Sequence, residues 1–130
     1  MTIRSEIESR LYAYAQAQTP KIPVSYENVS FVKPNTGHYL EVYLLDTVAQ
    51  SRGVSAKGVR ETGMFQINCY TSVGAGMASV EALAAAVKAL YPVIPKTGTV
   101  SIEAPLSASS AVVIDGFVCI PVTGRYRVET

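Results

Sequence analysis

The chain has 130 residues, of which 48% are hydrophobic and 16% charged, and its formal net charge is +1. This balance excludes the broad basic surface of a dedicated nucleic-acid or anionic-membrane binder. We expect one domain over residues 1–130 with one core, and the apolar excess favours self-association.

The first residues, "MTIRSEIESR", are charged, and no stretch approaches the roughly eighteen apolar residues of a membrane span. We therefore expect a cytosolic protein without a membrane segment. Cys69 and Cys119 lie in apolar runs, which favours buried free thiols in a reducing compartment. Together with the single His38 they fit no zinc spacing, so we predict neither a metal site nor a cofactor.

A first amphipathic helix is predicted from apolar residues at helical spacing: Ile3, Ile7, Leu11 and Tyr14. Ser5 and Glu8 have the spacing of a capping box, and Thr2 is the alternative cap one turn earlier. The helix should end near Thr19, because a residue before proline resists the helical conformation.

After a short extended piece at residues 24–26 and a loop, "YLEVYLLD" predicts a strand. Leu40, Val42 and Leu44 should face the core, where each contributes about 2 kcal/mol if fully buried. Residues 47–59 show no apolar period and predict a loop. The next strand, roughly residues 60–72, turns Phe65, Ile67 and Cys69 inward, so the two strands should pair as a long-looped hairpin.

A second helix is predicted after residue 76 from Val80, Leu83, Val87 and Leu90. The preceding Gly74-Ala75-Gly76 resembles the start of a dinucleotide-binding turn, but Ser79 stands where that fingerprint needs its third glycine. We interpret the two glycines as turn residues.

Three further strands are predicted after this helix. "TVSIEAP" gives one, and apolar runs on both sides of Asp115-Gly116 give a tight hairpin. Pro121 predicts a sheet edge or a bulge. The fold class is therefore α+β: a two-layer sandwich with a mostly antiparallel sheet of about five to six strands and two helices on one face.

The sequence predicts no catalytic site, because His38 lies in a turn without the context of a nucleophile. Glu41 and Asp46, five residues apart on one strand, should face opposite sides. We therefore expect that the protein is not an enzyme.

Read as a whole, the chain resembles the tail-terminator-like proteins of long-tailed bacteriophages. The resemblance rests on the order of "MTIRSEIESRLYAYA", "IPVSYENVSFVKPNTGHYLEVYLL", "RETGMFQINCY" and "ASVEALAAAVKALYP". It implies a structural virion protein, assembled in the host cytoplasm, whose ring of typically six subunits ends tail-tube polymerisation and joins the neck. The implied partners are the tail tube protein, a neck protein and passing DNA without specific binding.

Two sets of site residues follow as hypotheses. A subunit interface is predicted on the sheet face away from the helices, and its alternative is a solvated face: Tyr39, Tyr43, Gln66, Asn68 and Tyr70. Arg52, Lys57 and Arg60 would line a ring lumen or touch the tail tube, unless they only decorate a solvated hairpin tip. Two other functions stay open: a neck or head-completion protein and, more remotely, a small nucleotide-binding domain or enzyme.

Overall fold

The computed structural model describes residues 3–27, 29–52, 58–74, 76–91, 101–102 and 105–129. Two helices and seven strands occupy these residues. The elements are α1 (Ile3–Ala17), β1 (Val24–Ser25), β2 (His38–Arg52), β3 (Gly58–Ser72), α2 (Met77–Ala89), β4 (Ser101–Ile102), β5 (Ser107–Ala108), β6 (Val112–Ile114) and β7 (Phe117–Glu129).

The strands form one sheet in the order β1-β2-β3-β7-β4, and β5 and β6 also pair with β7. Only β1 and β2 run parallel, so the predicted mostly antiparallel α+β sandwich is confirmed. Four of the seven strands described here are only two or three residues long. The long strands β2, β3 and β7 therefore carry most of the sheet.

Both helices pack on one face of this sheet, which we call the inner face. Alternate strand residues enter its core, as the sequence predicts, including Leu40, Val42, Phe65, Ile67 and Cys69. The same core contains α1 and α2 side chains at helical spacing: Ile7, Leu11, Ala15, Val80, Leu83, Ala84 and Val87. The predicted period-two and helical patterns thus converge on one apolar layer.

The start of α1 differs from one of the two predicted caps. The helix already includes Ile3 and Arg4, so Ser5 lies within it and cannot be the residue that precedes its first turn. Thr2, the alternative, lies outside the described residues. The other end of the helix, at Ala17, agrees with the expected stop before Pro20.

The glycine turn before α2 has a sufficient structural cause. Gly74 and Gly76 have φ values of +99° and +87°, in the region that side chains with a Cβ rarely adopt. Gly76 is the N-cap of α2 and makes no side-chain cap. These backbone angles agree with the interpretation of both glycines as turn residues.

The predicted loop over residues 47–59 is wrong for much of its length. Strand β2 continues to Arg52 and β3 begins at Gly58, with Arg52 opposite Gly58 across the ladder. The register shifts between Leu44 and Thr47, which is the signature of a β-bulge. Backbone hydrogen bonds between strands need no apolar alternation, so the polar composition of this segment concealed both strands.

The C-terminal hairpin was predicted correctly, whereas the edge position of Pro121 was not. Asp115 and Gly116 both have positive φ, 48° and 79°, as a two-residue type I′ turn requires. Strand β7 lies between β3 and the short strands, and Ser109 bonds to it at Pro121, so Pro121 is not at a sheet edge. The Pro121 carbonyl accepts a hydrogen bond from the Ser109 N–H at 2.9 Å, in the interval between β5 and β6. The proline nitrogen faces the same side as this carbonyl, away from β3. The lack of an N–H at Pro121 therefore costs no hydrogen bond to β3.

Candidate interaction surfaces

The five residues of the predicted interface share one sheet face, opposite the helices, which we call the outer face. Tyr39 pairs in register with Tyr70, and Tyr43 pairs with Gln66 on the adjacent strand. Asn68 lies between them, opposite Glu41. The alternation that placed their neighbours in the core therefore also brings these five together.

Two of the three tyrosines in this set are already buried within the chain. The rings of Tyr39 and Tyr70 stack with their centroids 4.2 Å apart, and each residue is only 5% exposed. Phe117 meets both rings edge-on, while Phe31 packs against Tyr39. Burial, with a smaller effect of the Glu41 charge, raises the pKa of Tyr39 to about 12. We call this group, together with the buried Cys119, the outer cluster.

A chain of polar side chains continues from the outer cluster along the outer face. The Tyr70 hydroxyl donates to Glu41 Oε1 at 2.6 Å, and Asn68 Nδ2 donates to the same oxygen at 3.2 Å. Gln66 Nε2 then donates to Asn68 Oδ1 at 2.7 Å. Tyr43, 36% exposed, stands beside this network. The accessible part of the predicted interface is therefore polar and held in place by internal hydrogen bonds.

Two of the three basic residues of the predicted lumen loop belong to the end of the β2–β3 hairpin. Arg52 ends β2 opposite Gly58, and Arg60 lies opposite Gln50 on one side and Glu129 of β7 on the other. Lys57 lies outside the described residues. The structure thus places two of the three on paired strands rather than on a free loop.

Sequence reasoning missed a groove beside β1, which we call the β1-edge groove. It has a volume of about 420 Å³ and lies between α1 and the segment that follows β1. Tyr12 and Val29, more than half exposed, contribute to its apolar wall. Its full lining is Arg4, Glu8, Ser9, Tyr12, Tyr26, Glu27 and Val29.

Charged groups at this groove are held by short contacts. Arg4 Nη1 lies 2.8 Å from Glu27 Oε1 and 3.5 Å from Glu8 Oε2. Glu27 Oε1 also accepts the backbone N–H of Leu44 at 2.9 Å, just beyond the short β1–β2 pairing. The Leu44 amide and then Arg4 lower the pKa of Glu27. The i,i+4 spacing of Arg4 and Glu8 was visible in the sequence, but Glu27 reaches them only through the fold.

The remaining reactive side chains have structural partners or are buried. Cys69 and Cys119 are both buried free thiols, as predicted, and burial raises the pKa of Cys69 to about 12. His38 begins β2, with Nδ1 2.9 Å from Thr71 Oγ1, rather than lying in a surface turn. The side chain of Asp46 lies outside the described part, so its predicted orientation relative to Glu41 stays a prediction. Within the described ranges no three His, Cys, Asp or Glu side chains gather as a metal site.

Comparison with known proteins decides the family. The model of a phage tail terminator protein family matches residues 2–126. The chain belongs to the phage tail terminator family. Tail terminators are structural proteins of the phage virion, so this chain is a phage tail structural protein and its family is not one of enzymes.

Solved structures share the fold of this chain. One protein is 33% identical, with a TM-score of 0.77 over 97% of this chain and 92% of its own. Another, from the virion of a native gene transfer agent particle, is 22% identical, with a TM-score of 0.61 over 95% of this chain and 92% of its own. A search among curated proteins found no match. No helix in the described part of the tail terminator has the length and apolarity needed to cross a membrane.

Proposed function

We propose that this tail terminator caps the head-proximal end of a phage tail tube as a ring of six subunits. The ring stops polymerisation of the tube and provides the joint to the neck. The observation that carries the proposal is the family match over residues 2–126. The assembly takes place in the host cytoplasm, and the partners are the tail tube protein and a neck protein.

The ring contact comes from the outer face or from the edges of the sheet. A cyclic ring needs two different patches that meet around a rotation axis. Tyr39 and Tyr70 are 5% exposed in the single chain and have little surface left to contribute. The outer-face part of the predicted interface is therefore restricted to Tyr43, Gln66 and Asn68, which keep accessible surface.

The end of the β2–β3 hairpin supplies basic groups for the lumen or for the tail tube. Arg52, Lys57 and Arg60 place three positive charges within nine residues. Backbone phosphates would meet such charges without base recognition, which suits the passage of DNA. Replacing the three by serine should leave the ring intact and reduce the yield of infectious particles; unchanged yield would assign these residues to a solvated hairpin end.

The decisive experiment is electron microscopy of lysates from phage lacking this gene. We expect tails of excessive and variable length, because the tube is no longer stopped, and restored length when the intact chain is supplied. Tails of normal length that fail to join heads would instead assign the protein to the neck. Saturable binding of a nucleotide at the Gly74–Gly76 turn would instead favour a small nucleotide-binding domain or enzyme.

The contribution of the outer face is tested by Tyr43→Lys, because Tyr43 is the most exposed of the predicted interface tyrosines. The Tyr43 side chain interacts with Glu41, so an added cation would lie near a carboxylate and should not disturb the fold. If the outer face forms the ring contact, the mass of the assembly falls to that of smaller species in sedimentation. An unchanged assembly mass excludes the outer face and leaves the sheet edges.

A further inference from the structure

Two openings on opposite sides of the sheet, at the same level along the strands, differ in the charge of their described lining residues. At one edge, the β1-edge groove carries the carboxylates of Glu8 and Glu27 and the guanidinium of Arg4, a net charge of −1. At the other edge, a small opening of about 110 Å³ contains the exposed Arg125. Its described lining holds no acidic residue: Met64, Pro105, Ser107, Thr123, Gly124 and Arg125.

The strand register places these two features opposite each other across the sheet. Leu44, Phe65 and Gly124 form one transverse row through β2, β3 and β7. Glu27 is fixed at one end of this row by its bond to the Leu44 amide. At the other end, Arg125 follows Gly124 directly. It lies between Thr123, where β5 pairs with β7, and Tyr126, where β4 pairs with β7.

Arg125 is the charged group of this opening, and the described residues around it leave its side chain accessible. It is exposed, and it forms no ion pair with any residue that the structure describes. Pro105, also exposed, lies beside it at the opening. Across the sheet, Tyr12 and Val29 are 55% and 60% exposed on the wall of the β1-edge groove. The described lining of each opening thus combines apolar surface with one sign of net charge.

We infer that the occupant of the β1-edge groove is the opposite sheet edge of a second copy of this chain, with Arg125 of one subunit paired to Glu8 and Glu27 of the next. This inference rests on the proposed ring and specifies its contact. Rotation about a cyclic axis keeps neighbouring subunits at one level along that axis. The shared row and the opposite charges at its two ends fit such a contact if the strands are roughly parallel to that axis.

The contact also has a reasonable energetic basis. Exposed ion pairs contribute little, because water screens the charges and ordering the side chains costs entropy. Covering Arg125 with Pro105, Tyr12 and Val29 removes water from the pair and buries apolar surface. A bidentate arginine pairs with carboxylates in a defined geometry, so the contact fixes the register between subunits as well as attracting them.

The first test is a charge exchange in the full chain. Arg125→Glu should raise the dissociation constant of the assembly at least tenfold, and Glu8→Arg should act in the same direction. Glu8 is chosen because Glu27 also holds the Leu44 amide. Combining both substitutions should restore assembly, because the pair is only reversed. Lys88→Glu, the same charge change on the exposed side of α2, is the matched control and should not alter assembly.

The measurements are sedimentation of the purified chain and tail length in complemented phage, with circular dichroism to confirm folding. A ring that persists unchanged in Arg125→Glu overturns this inference but leaves the proposed function intact. A wild-type chain that forms no ring either in solution or on tails overturns both.

A second test is independent of charge. Val29→Cys combined with Pro105→Cys should give disulfide-linked ladders up to six subunits after oxidation, since both residues are exposed and the native cysteines are buried. Val29→Cys combined with Lys88→Cys is the control and should remain without ladders. Rings that assemble with the first pair but give no cross-link would overturn the inference.

Discussion

The two faces of the sheet are built from alternate residues of the same strands, yet they are covered in different ways. Two amphipathic helices close the inner face, and their apolar stripes meet the core-facing residues of β2, β3 and β7. Neither helix of the described residues covers the outer face. Its aromatic half is closed by ring stacking and by Phe31, and its other half is a hydrogen-bonded polar row with Tyr43 beside it.

This difference shows how burial can arise by two routes. The inner face is buried by layer packing, for which periodicity is a sufficient sequence signal. The outer cluster is buried because a loop crosses the sheet and brings Phe31 and Lys33 over it, with Lys33 Nζ 5.2 Å from the Phe117 ring centre. The inner face should therefore dominate stability, while the outer face keeps surface for contacts between proteins.

The largest contrast is expected from introducing a charge on each face. Val42→Asp should lower the free energy of unfolding by about 4 kcal/mol or more, because Val42 is 1% exposed in the inner core and the carboxylate would be buried without a partner. Tyr43→Lys, one residue away on the outer face, should cost less than about 1 kcal/mol. Urea unfolding measures both; similar losses would refute the assigned strand register.

A smaller contrast is expected from two phenylalanines. Phe65→Ala should lower the free energy of unfolding by about 4 kcal/mol, because the two packed helices keep the space left by the ring from closing. Phe117→Ala in the outer cluster should cost about 2 kcal/mol, because the crossing loop can settle into the space. The comparison by chemical denaturation would fail if Phe117→Ala were the more damaging change, and the outer cluster would then be a second core in its own right.

The hydrogen bond between the two halves of the outer face is tested by removing one hydroxyl. Tyr70→Phe should cost about 1.5 kcal/mol, because Glu41 loses a charge-assisted donor at 2.6 Å. Tyr39→Phe is the matched control. Tyr39 is as buried as Tyr70, and its hydroxyl forms no hydrogen bond with the residues that the structure describes. It should cost less than about 0.5 kcal/mol. Equal losses of stability in thermal unfolding would show that the hydrogen bond from Tyr70 to Glu41 does not stabilise the fold.

The smallest effect concerns Glu27 at the β1-edge groove and depends on pH. The folded chain lowers the pKa of Glu27 below its ordinary value of 4.5, so its stabilising contribution is complete above that value. The contribution is lost as the pH falls through the lowered pKa. The difference in unfolding free energy between wild type and Glu27→Gln should therefore be present at pH 7 and disappear in acid, once the pH is below the lowered pKa. A difference that persists in acid would assign the effect to packing.

Several features of the fold could be predicted because their causes are local. The two helices, the inward residues of β2 and β3 and the Asp115-Gly116 turn follow from periodicity and from backbone preferences. The extension of β2 to Arg52 could not be predicted in this way. That strand is specified by pairing with β3 across a bulge, and its polar sequence carries no alternation.

The candidate surfaces divide along the same line. The outer-face position of Tyr39 and Tyr70 was predictable, but their burial was not, since it depends on how the loop before β2 places Phe31. The β1-edge groove left almost no signal, because Glu27 joins Arg4 and Leu44 over separations of 23 and 17 residues.

The sequence by itself determined which side of each strand and helix is apolar, where the chain can turn, and the resemblance to phage tail terminators. Those properties depend on side-chain type and on short-range backbone geometry. Only the tertiary structure decided which of the outward residues stay accessible and which charges stand at the two sheet edges. Burial and charge complementarity depend on distances between segments far apart in the chain, and those distances exist only after the strands have found their register.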